Sequence, residues 1–566
     1  HGVDAISEVP ESHWSAADYY DADPDRPDHL SATRGGFLSP VAFDPSEFGI
    51  PPNSLEATDS SQILGLLAAK AALEDAGYGT GGKGFDRNRT SVILGVTGTQ
   101  ELVIPLGARL GHPLWRRSLE AAGVDPDTTQ KVIEGISQAY VPWQENSFPG
   151  LLGNVVAGRI SNRLNLGGTN CVVDAACASS LGAVHMALLE LQAGQCDMVL
   201  TGGVDTLNDV FMHMCFNETR ILSPTGDVRP FSEKADGTLL GEGVGIVVLK
   251  RIADARRDGD RIYAVIKAMG TASDGRSQSI YAPSQQGQVK ALKEAYRAAD
   301  VPPDTVELVE AHGTGTRVGD HTEIQTLKEV FGESARDGGV CEDRCALGAV
   351  KSMIGHTKAA AGTAGMIKAA LALHHNTLPP TLKAVPPDPK LDLDHSPFYL
   401  NTQARPWFSR EDHPRRCGVS AFGFGGSNFH VLLEEASVKH PEVAWDESIE
   451  IVAISADSPQ QLEHELKRWQ TDLGSGLSEF EQIQRAAQSR ASFKADASCR
   501  LLWVVDRTPN SSAPDLKRQL VIIRDLLAQN GTDAGWMEKD IFFGRRKRPG
   551  KLAFMFPGQG SQYVDM

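Results

Sequence analysis

Val173-Asp174-Ala175-Ala176-Cys177-Ala178-Ser179-Ser180 is the stretch on which the fold turns. An apolar run enters it, small residues fill it, and Leu181, Val184, Leu188 and Leu191 follow at three- and four-residue intervals before Gly194. The pattern predicts a strand over Cys171–Ala175, a tight turn, and a helix over Ser179–Ala193 that buries one face and stops at Gly194. Cys177 then stands at a helix N-terminus. Unpaired N–H groups and the helix dipole favour an anion there, so the thiol is expected to titrate below its ordinary value and to supply a thiolate for acyl transfer.

Outward from this point, short apolar runs alternate with amphipathic stretches, the pattern of strands covered by helices on both faces. Strands are expected at Ser91–Gly95, Met198–Gly202, Val244–Leu249, Tyr263–Ile266, Leu308–Glu310, Ala346–Val350 and His430–Glu434. Helices are expected at Ser61–Ala76, Gly287–Ala299, Thr322–Val330 and Lys358–Leu373. The region splits into two halves, each running strand, reactive residue, helix.

The second half carries two histidines just past strand ends, in Glu310-Ala311-His312-Gly313-Thr314-Gly315-Thr316 and in Val350-Lys351-Ser352-Met353-Ile354-Gly355-His356-Thr357. Ligand sites in open α/β sheets lie outside the carboxyl ends of strands, so Cys177, His312 and His356 are expected to converge. Two neutral imidazoles beside a thiolate suit decarboxylative condensation, because loss of carbon dioxide from a malonyl thioester builds charge that paired N–H donors stabilise. An ion pair between Lys351 and Glu323 is expected to hold the two histidine loops. Gly423-Phe424-Gly425-Gly426-Ser427-Asn428 lacks the Lys-Ser/Thr ending of a phosphate loop and reads as a tight turn beside a reactive centre.

Composition narrows the class. The 566 residues exceed one ordinary core, and the net charge of -17 argues against nucleic acid or an anionic membrane as partner. An acidic carrier would need a local basic patch, and the dense run Arg545-Arg546-Lys547-Arg548 reads instead as solvated linker. No run of eighteen apolar residues suggests a membrane span. Eight cysteines without a CxxC pair support neither a disulfide framework nor a zinc site, which favours a cytoplasmic setting and places Cys341 and Cys345 as surface-loop thiols. Past Val438 a second α/β pattern is expected, with strands at Glu450–Ile454 and Leu501–Val505 and helices at Pro459–Leu473 and Asp515–Ala528. Lys551–Phe556 reads as the start of a third unit, and the chain as a fragment of something longer.

Taken together, the segments around Cys177, His312, His356 and Phe424 resemble the β-ketoacyl synthase family of the thiolase-like superfamily, in the family's order and across residues 1–437. The resemblance implies a five-layered αβαβα fold of two related halves, followed by a small α/β linker domain. It implies that Cys177 is the acylated nucleophile, that His312 and His356 assist decarboxylation, and that Lys351 and Glu323 support them. By the same resemblance the N–H groups of Cys177 and Phe424 form an oxyanion hole, and the Phe424 ring gates the pocket. No cofactor is implied in the chain itself; substrates ride on the phosphopantetheine of an acyl carrier protein, and the enzyme is a homodimer. Residues 438–549 are similar to a ketosynthase-to-acyltransferase linker, and 550–566, with Gln559, to the start of an acyltransferase that lacks its serine elbow. Gly319-Asp320-His321-Thr322-Glu323 departs from the Gly-Asp-Pro-Ile-Glu common in modular synthases, and Ala369–His375, Leu378–Thr381 and Phe211–Phe216 are similar to iterative synthases that make polyunsaturated fatty acids, enediyne cores or glycolipid acyl chains. The rivals are a non-catalytic chain-length-factor partner, which would lack the cysteine, and a thiolase, which would use a second catalytic cysteine late in the chain, where Cys417 precedes the glycine loop without that family's surrounding pattern.

Overall fold

In the computed structural model, residues 2–23, 26–98, 100–276, 279–332, 345–408, 413–436, 449–474, 479–507, 516–538 and 540–545 are described. The expected boundary at 437/438, the run 546–548, Cys341, Lys551–Phe556 and Gln559 lie outside them. Two compact units are present, His1–Val443 and Ala444–Met566.

The larger unit is built on two sheets. The first contains β1 (Thr90–Gly95), β2 (Asn170–Val173), β3 (Met198–Asp205) and β4 (Gly243–Leu249) in the order β2-β1-β3-β4, with only β4 antiparallel to its neighbour. Every residue of β1 and β3 is buried, as parallel strands covered on both faces require. The second contains β5 (Val265–Ser273), β6 (Leu308–Glu310), β7 (Cys345–Gly348), β8 (Phe398–Leu400), β9 (Arg416–Gly423) and β10 (Ser427–Glu434) in the order β8-β7-β6-β9-β10-β5.

Helices α1 (Ser60–Asp75) and α2 (Asn154–Leu164) cover the outer face of the first sheet, and α3 (Ser179–Gln192) lies against its inner face. Helices α4 (Gln285–Ala299) and α5 (Arg317–Gly332) cover the outer face of the second, and α6 (Ala361–His374) packs on α3 between the sheets. This is the five-layered arrangement. Small residues make the middle layer possible: a Cβ on Gly362 would lie 2.6 Å from the Leu181 side chain, so the two helices meet closely only because glycine stands there.

Several local expectations change in three dimensions. Ser179–Val184 of α3 is buried on every side rather than along one stripe, because sheets lie on both sides of it. The expected helix Lys358–Leu373 is a 3-10 turn, Lys358–Ala360, followed by α6. Strand β9 has no counterpart among the strands expected from sequence. Its Arg-Cys-Gly-Val-Ser-Ala-Phe-Gly lacks β-branched density, yet it sits between β6 and β10, where small residues allow close packing. Cys345 is not a surface thiol; it opens β7 and is 1% exposed in the core. Helices Val103–Ala108, His112–Ala121 and Pro126–Gln138 fill an excursion between β1 and β2 that no expected element covered.

The smaller unit holds a four-stranded antiparallel sheet of Ile449–Ala456, Cys499–Asp506, Ile541–Arg545 and Trp536–Glu538, in that order. Helix Pro459–Gly474 buries Leu462, Leu466, Trp469 and Leu473 along one stripe, and Trp469 meets Trp503 edge-on at 5.9 Å. Among the described residues no helix is long and apolar enough to cross a membrane.

Candidate active site

Cys177 occupies a one-turn 3-10 helix, Ala176–Ala178, between β2 and α3. Ala176 has a φ of 49°, a left-handed conformation that costs a non-glycine residue about 1–3 kcal/mol. The turn is clamped to hold it. The Ser179 hydroxyl accepts the Ala175 N–H at 2.9 Å and donates to the Ala176 carbonyl at 2.6 Å. The Asp174 carboxylate accepts the Ala176 N–H at 3.0 Å and the Thr97 hydroxyl at 2.6 Å. From the other half, the end of β9 comes so close that a Cβ on Gly423 would overlap the Ala175 carbonyl oxygen. That approach brings the Phe424 N–H to the Cys177 sulfur.

The thiol does not behave as its place before a helix suggests. Cys177 is 7% exposed, and burial pushes its titration above the ordinary cysteine value, opposed by the Lys351 cation, the Phe424 N–H and Lys358, and reinforced by Asp205. Removing a thiolate from water outweighs the partial charge of the helix end. The resting group is a thiol.

His312 and His356 come together, their ring centroids 5.5 Å apart and nearly perpendicular. The Phe422 N–H of β9 points at His312 Nδ1 from 3.4 Å, and the Lys358 N–H donates to His356 Nδ1 at 3.1 Å. With each Nδ1 occupied as an acceptor, each ring carries its hydrogen on Nε2. Burial and then Lys351 push both imidazoles well below the ordinary histidine value, so both are neutral N–H donors at physiological pH. The turn that carries Lys358 packs against the turn that carries Cys177.

Lys351 and Glu323 both serve the His312 loop, though not as an ion pair: among the described residues no direct pair joins them. The Lys351 ammonium donates to the His312 carbonyl at 2.5 Å. The Glu323 carboxylate accepts the N–H groups of His312 and Gly313 at 2.7 and 2.8 Å. Each grips the same backbone from a different side, which satisfies a carboxylate and an ammonium that are 2% and 3% exposed.

Phe424 tips the three-residue loop between β9 and β10, with its ring exposed and near Phe216 and Tyr281 at 6.4 and 6.3 Å. The Gly425 N–H donates to the Ile280 carbonyl at 3.0 Å, and the Asn428 amide donates to Asp274 at 2.6 Å, so the loop is tied to the segment after β5.

Other residues at the site were not among those nominated from sequence. Asp320, buried and pushed up to about 7 by that burial, accepts the Phe231 and Gly315 N–H groups at 2.7 and 3.2 Å. Asp205 pairs with Lys358 at 3.1 Å, both 3% exposed. The available signal was an acidic residue closing an otherwise apolar strand, as Asp205 closes β3 and Glu310 closes β6. Cys417, the cysteine a thiolase would need, is a core residue: fully buried on β9, its thiol driven far up by burial.

Comparisons with known proteins show the family to which the chain belongs. Residues 1–255 match the model of the β-ketoacyl synthase N-terminal domain, 263–384 that of the C-terminal domain, and 387–510 that of the ketoacyl-synthetase C-terminal extension. The chain is similar to a polyunsaturated fatty acid synthase polypeptide of Thraustochytrium sp., 38% identical over 582 residues that take in 100% of this chain and 20% of that protein. It is also similar to a phenolphthiocerol/phthiocerol polyketide synthase polypeptide of Mycobacterium tuberculosis, 38% identical over 464 residues, 81% of this chain and 28% of that one. The chain therefore spans less than a third of either relative. Among solved structures, the ketosynthase from module 6 of the bacillaene synthase from Bacillus subtilis 168 superposes with a TM-score of 0.65 at 30% identity, covering 96% of this chain and 82% of that one. The chain belongs to the β-ketoacyl synthase family: it carries a ketosynthase domain, a transferase that forms carbon-carbon bonds, followed by the family's C-terminal extension.

Proposed function

We propose that the chain catalyses the decarboxylative Claisen condensation of an acyl group held on Cys177 with a malonyl thioester carried on the phosphopantetheine of an acyl carrier protein, within an iterative polyketide or polyunsaturated fatty acid synthase. The observation that carries this is the pair of neutral imidazoles whose Nδ1 atoms both face backbone N–H groups, leaving two Nε2–H donors, with the turn after His356 packed against the turn of the buried Cys177.

The Cys177 sulfur attacks the incoming acyl thioester, forming a new thioester while the carrier sulfur leaves with the thiol proton. The malonyl thioester then loses carbon dioxide. The electron pair of the broken bond moves onto the thioester oxygen, where the Nε2–H groups of His312 and His356 stabilise it. The resulting carbon nucleophile attacks the acyl carbon on Cys177. The N–H groups of Cys177 and Phe424 hold the tetrahedral oxyanion, and its collapse returns the Cys177 thiolate. Lys351 and Glu323 keep the His312 loop in register, and the Phe424 ring gates access to the cysteine.

Partners follow from the same reading. Strand β2 is an edge of its sheet, and α3 leaves Met186 and Leu189 exposed beside it, which supports pairing with a second copy of the chain. A carrier protein and a downstream acyltransferase are the remaining partners, and an enediyne-type synthase is a narrower form of the same class. The domain division 1–437, 438–549 and 550–566 belongs to this proposal, as does a cytoplasmic setting, supported by free cysteines throughout the described residues.

The test is intact-mass analysis after incubation with a series of acyl thioesters. The wild-type chain gains one acyl mass located on Cys177, Cys177→Ala gains none, and Cys177→Gln still releases carbon dioxide from a malonyl thioester. Undiminished acylation of Cys177→Ala would remove the nucleophile assignment.

A further inference from the structure

The tautomer of His356 depends on one hydrogen bond, and its donor belongs to a strained residue. Lys358 has a φ of 45°, left-handed for a residue with a side chain. In that conformation its N–H reaches His356 Nδ1 at 3.1 Å.

The equivalent turn before α3 is held by the Ser179 hydroxyl, three residues after the left-handed Ala176. Three residues after Lys358 stands Ala361, whose side chain neither donates nor accepts a hydrogen bond. A different clamp is present. The Lys358 ammonium lies 3.1 Å from Asp205 Oδ1 and donates to the Gly241 carbonyl at 3.0 Å. Asp205 Oδ2 accepts the Ala359 N–H at 3.1 Å, so one carboxylate grips the side chain of the strained residue and the backbone of the next. Gly241 is itself tied to the histidine, its N–H donating to the His356 carbonyl at 2.9 Å, while the His356 N–H donates to the Leu239 carbonyl at 2.7 Å.

A buried ion pair contributes little net stability, because desolvating the two charges offsets their attraction. Its value here lies in where it holds the backbone. We propose that Asp205 and Lys358 are positioning residues of the condensation: their pair fixes the left-handed turn, keeps the Lys358 N–H on His356 Nδ1, and so keeps the His356 Nε2–H presented to the malonyl thioester. This rests on the reading of His356 as a donor to that thioester. The two charges also act on Cys177 in opposite senses, Asp205 disfavouring its thiolate and Lys358 favouring it.

The test uses the full chain. Malonyl-thioester decarboxylation is measured in the Cys177→Gln background, and acyl loading and iodoacetamide alkylation at the Cys177 peptide are followed by mass spectrometry with Cys177 intact. The charge-free double variant Asp205→Asn/Lys358→Gln is expected to lose about ten- to a hundredfold in decarboxylation, the effect of a small misplacement of a catalytic group, with loading close to wild-type. Asp205→Asn alone is expected to move the two readouts apart, with slower decarboxylation but faster alkylation of Cys177 at fixed pH. A pair that merely braced the fold would lower the thermal midpoint and slow both steps together. That result, or unchanged decarboxylation in a folded double variant, overturns the proposal. Should the double variant not fold, Asp205→Asn decides between the two by itself: opposite shifts support the proposal, and parallel shifts or none overturn it. His356→Ala in the same background is the control. If it decarboxylates at the parent rate, the reading of His356 fails, and the positioning role falls with it.

Discussion

The turn that carries Cys177 and the turn that follows His356 are two versions of one device. Each is a one-turn 3-10 helix leading into a buried central helix, Ala176–Ala178 before α3 and Lys358–Ala360 before α6. Each begins with a left-handed residue, at φ 49° and φ 45°. In each, the N–H of that residue is taken by the side chain two positions earlier, Asp174 in one and His356 in the other. The second residue of the turn is Cys177 in the first half and Ala359 in the second. The same backbone therefore presents a sulfur in one half and orients an imidazole in the other. What distinguishes the halves is which side chain uses the strained N–H and what clamps the strain: a serine hydroxyl in the first, a buried ion pair in the second.

If labour is divided in this way, damage to the second turn should spare the chemistry of the first. Replacing His312 or His356 by Ala is expected to lower malonyl-thioester decarboxylation about a hundredfold or more, measured as carbon dioxide release in the Cys177→Gln background, while acyl loading with Cys177 intact persists. Loading lost in the same proportion would break the comparison. The converse change sharpens it. Ser179→Ala removes both hydrogen bonds of the first clamp and is expected to cost about 2 kcal/mol of stability, read as a lower thermal midpoint, because an unsatisfied Ala175 N–H is added to the left-handed strain at Ala176. Loading should slow with it, and decarboxylation in the Cys177→Gln background should fall less.

A smaller effect tests a feature the halves share. His213 in the first half and His430 in the second are fully buried, and burial pushes each down to about 3. The unfolded chain takes up these protons below about 6.5, whereas the folded chain does not until near 3, so stability is complete above the unfolded value and drains away as pH falls. About 1 kcal/mol per histidine should be lost by pH 5.5. Thermal midpoints measured from pH 7.5 to 5.5 should fall, and His430→Gln should flatten the slope. An unchanged slope would mean that His430 does not remain neutral in the fold.

The candidate site residues are legible because the patterns that mark them are local. A cysteine between an apolar run and a helix start, and histidines bounded by glycines at strand ends, announce themselves within eight residues. Strand β9 was not legible, since Arg416–Gly423 is made a strand by its neighbours β6 and β10 and not by its own composition. The Lys351–Glu323 ion pair does not form for a related reason: opposite charges beside the two histidine segments suggest a direct pair, but the folded backbone of His312 offers each a better partner.

By itself, then, the sequence determined the two-half α/β plan and nominated Cys177, His312, His356 and Phe424, because strand-turn-helix patterning and the residue types of acyl chemistry are short-range properties. Only the tertiary structure decided the direction in which the Cys177 thiol is shifted, the nitrogen on which each histidine carries its hydrogen, and the clamp of Asp205 on Lys358. These depend on burial and on partners brought in from distant parts of the chain, and water excluded by two packed sheets is a quantity that no single stretch of residues encodes.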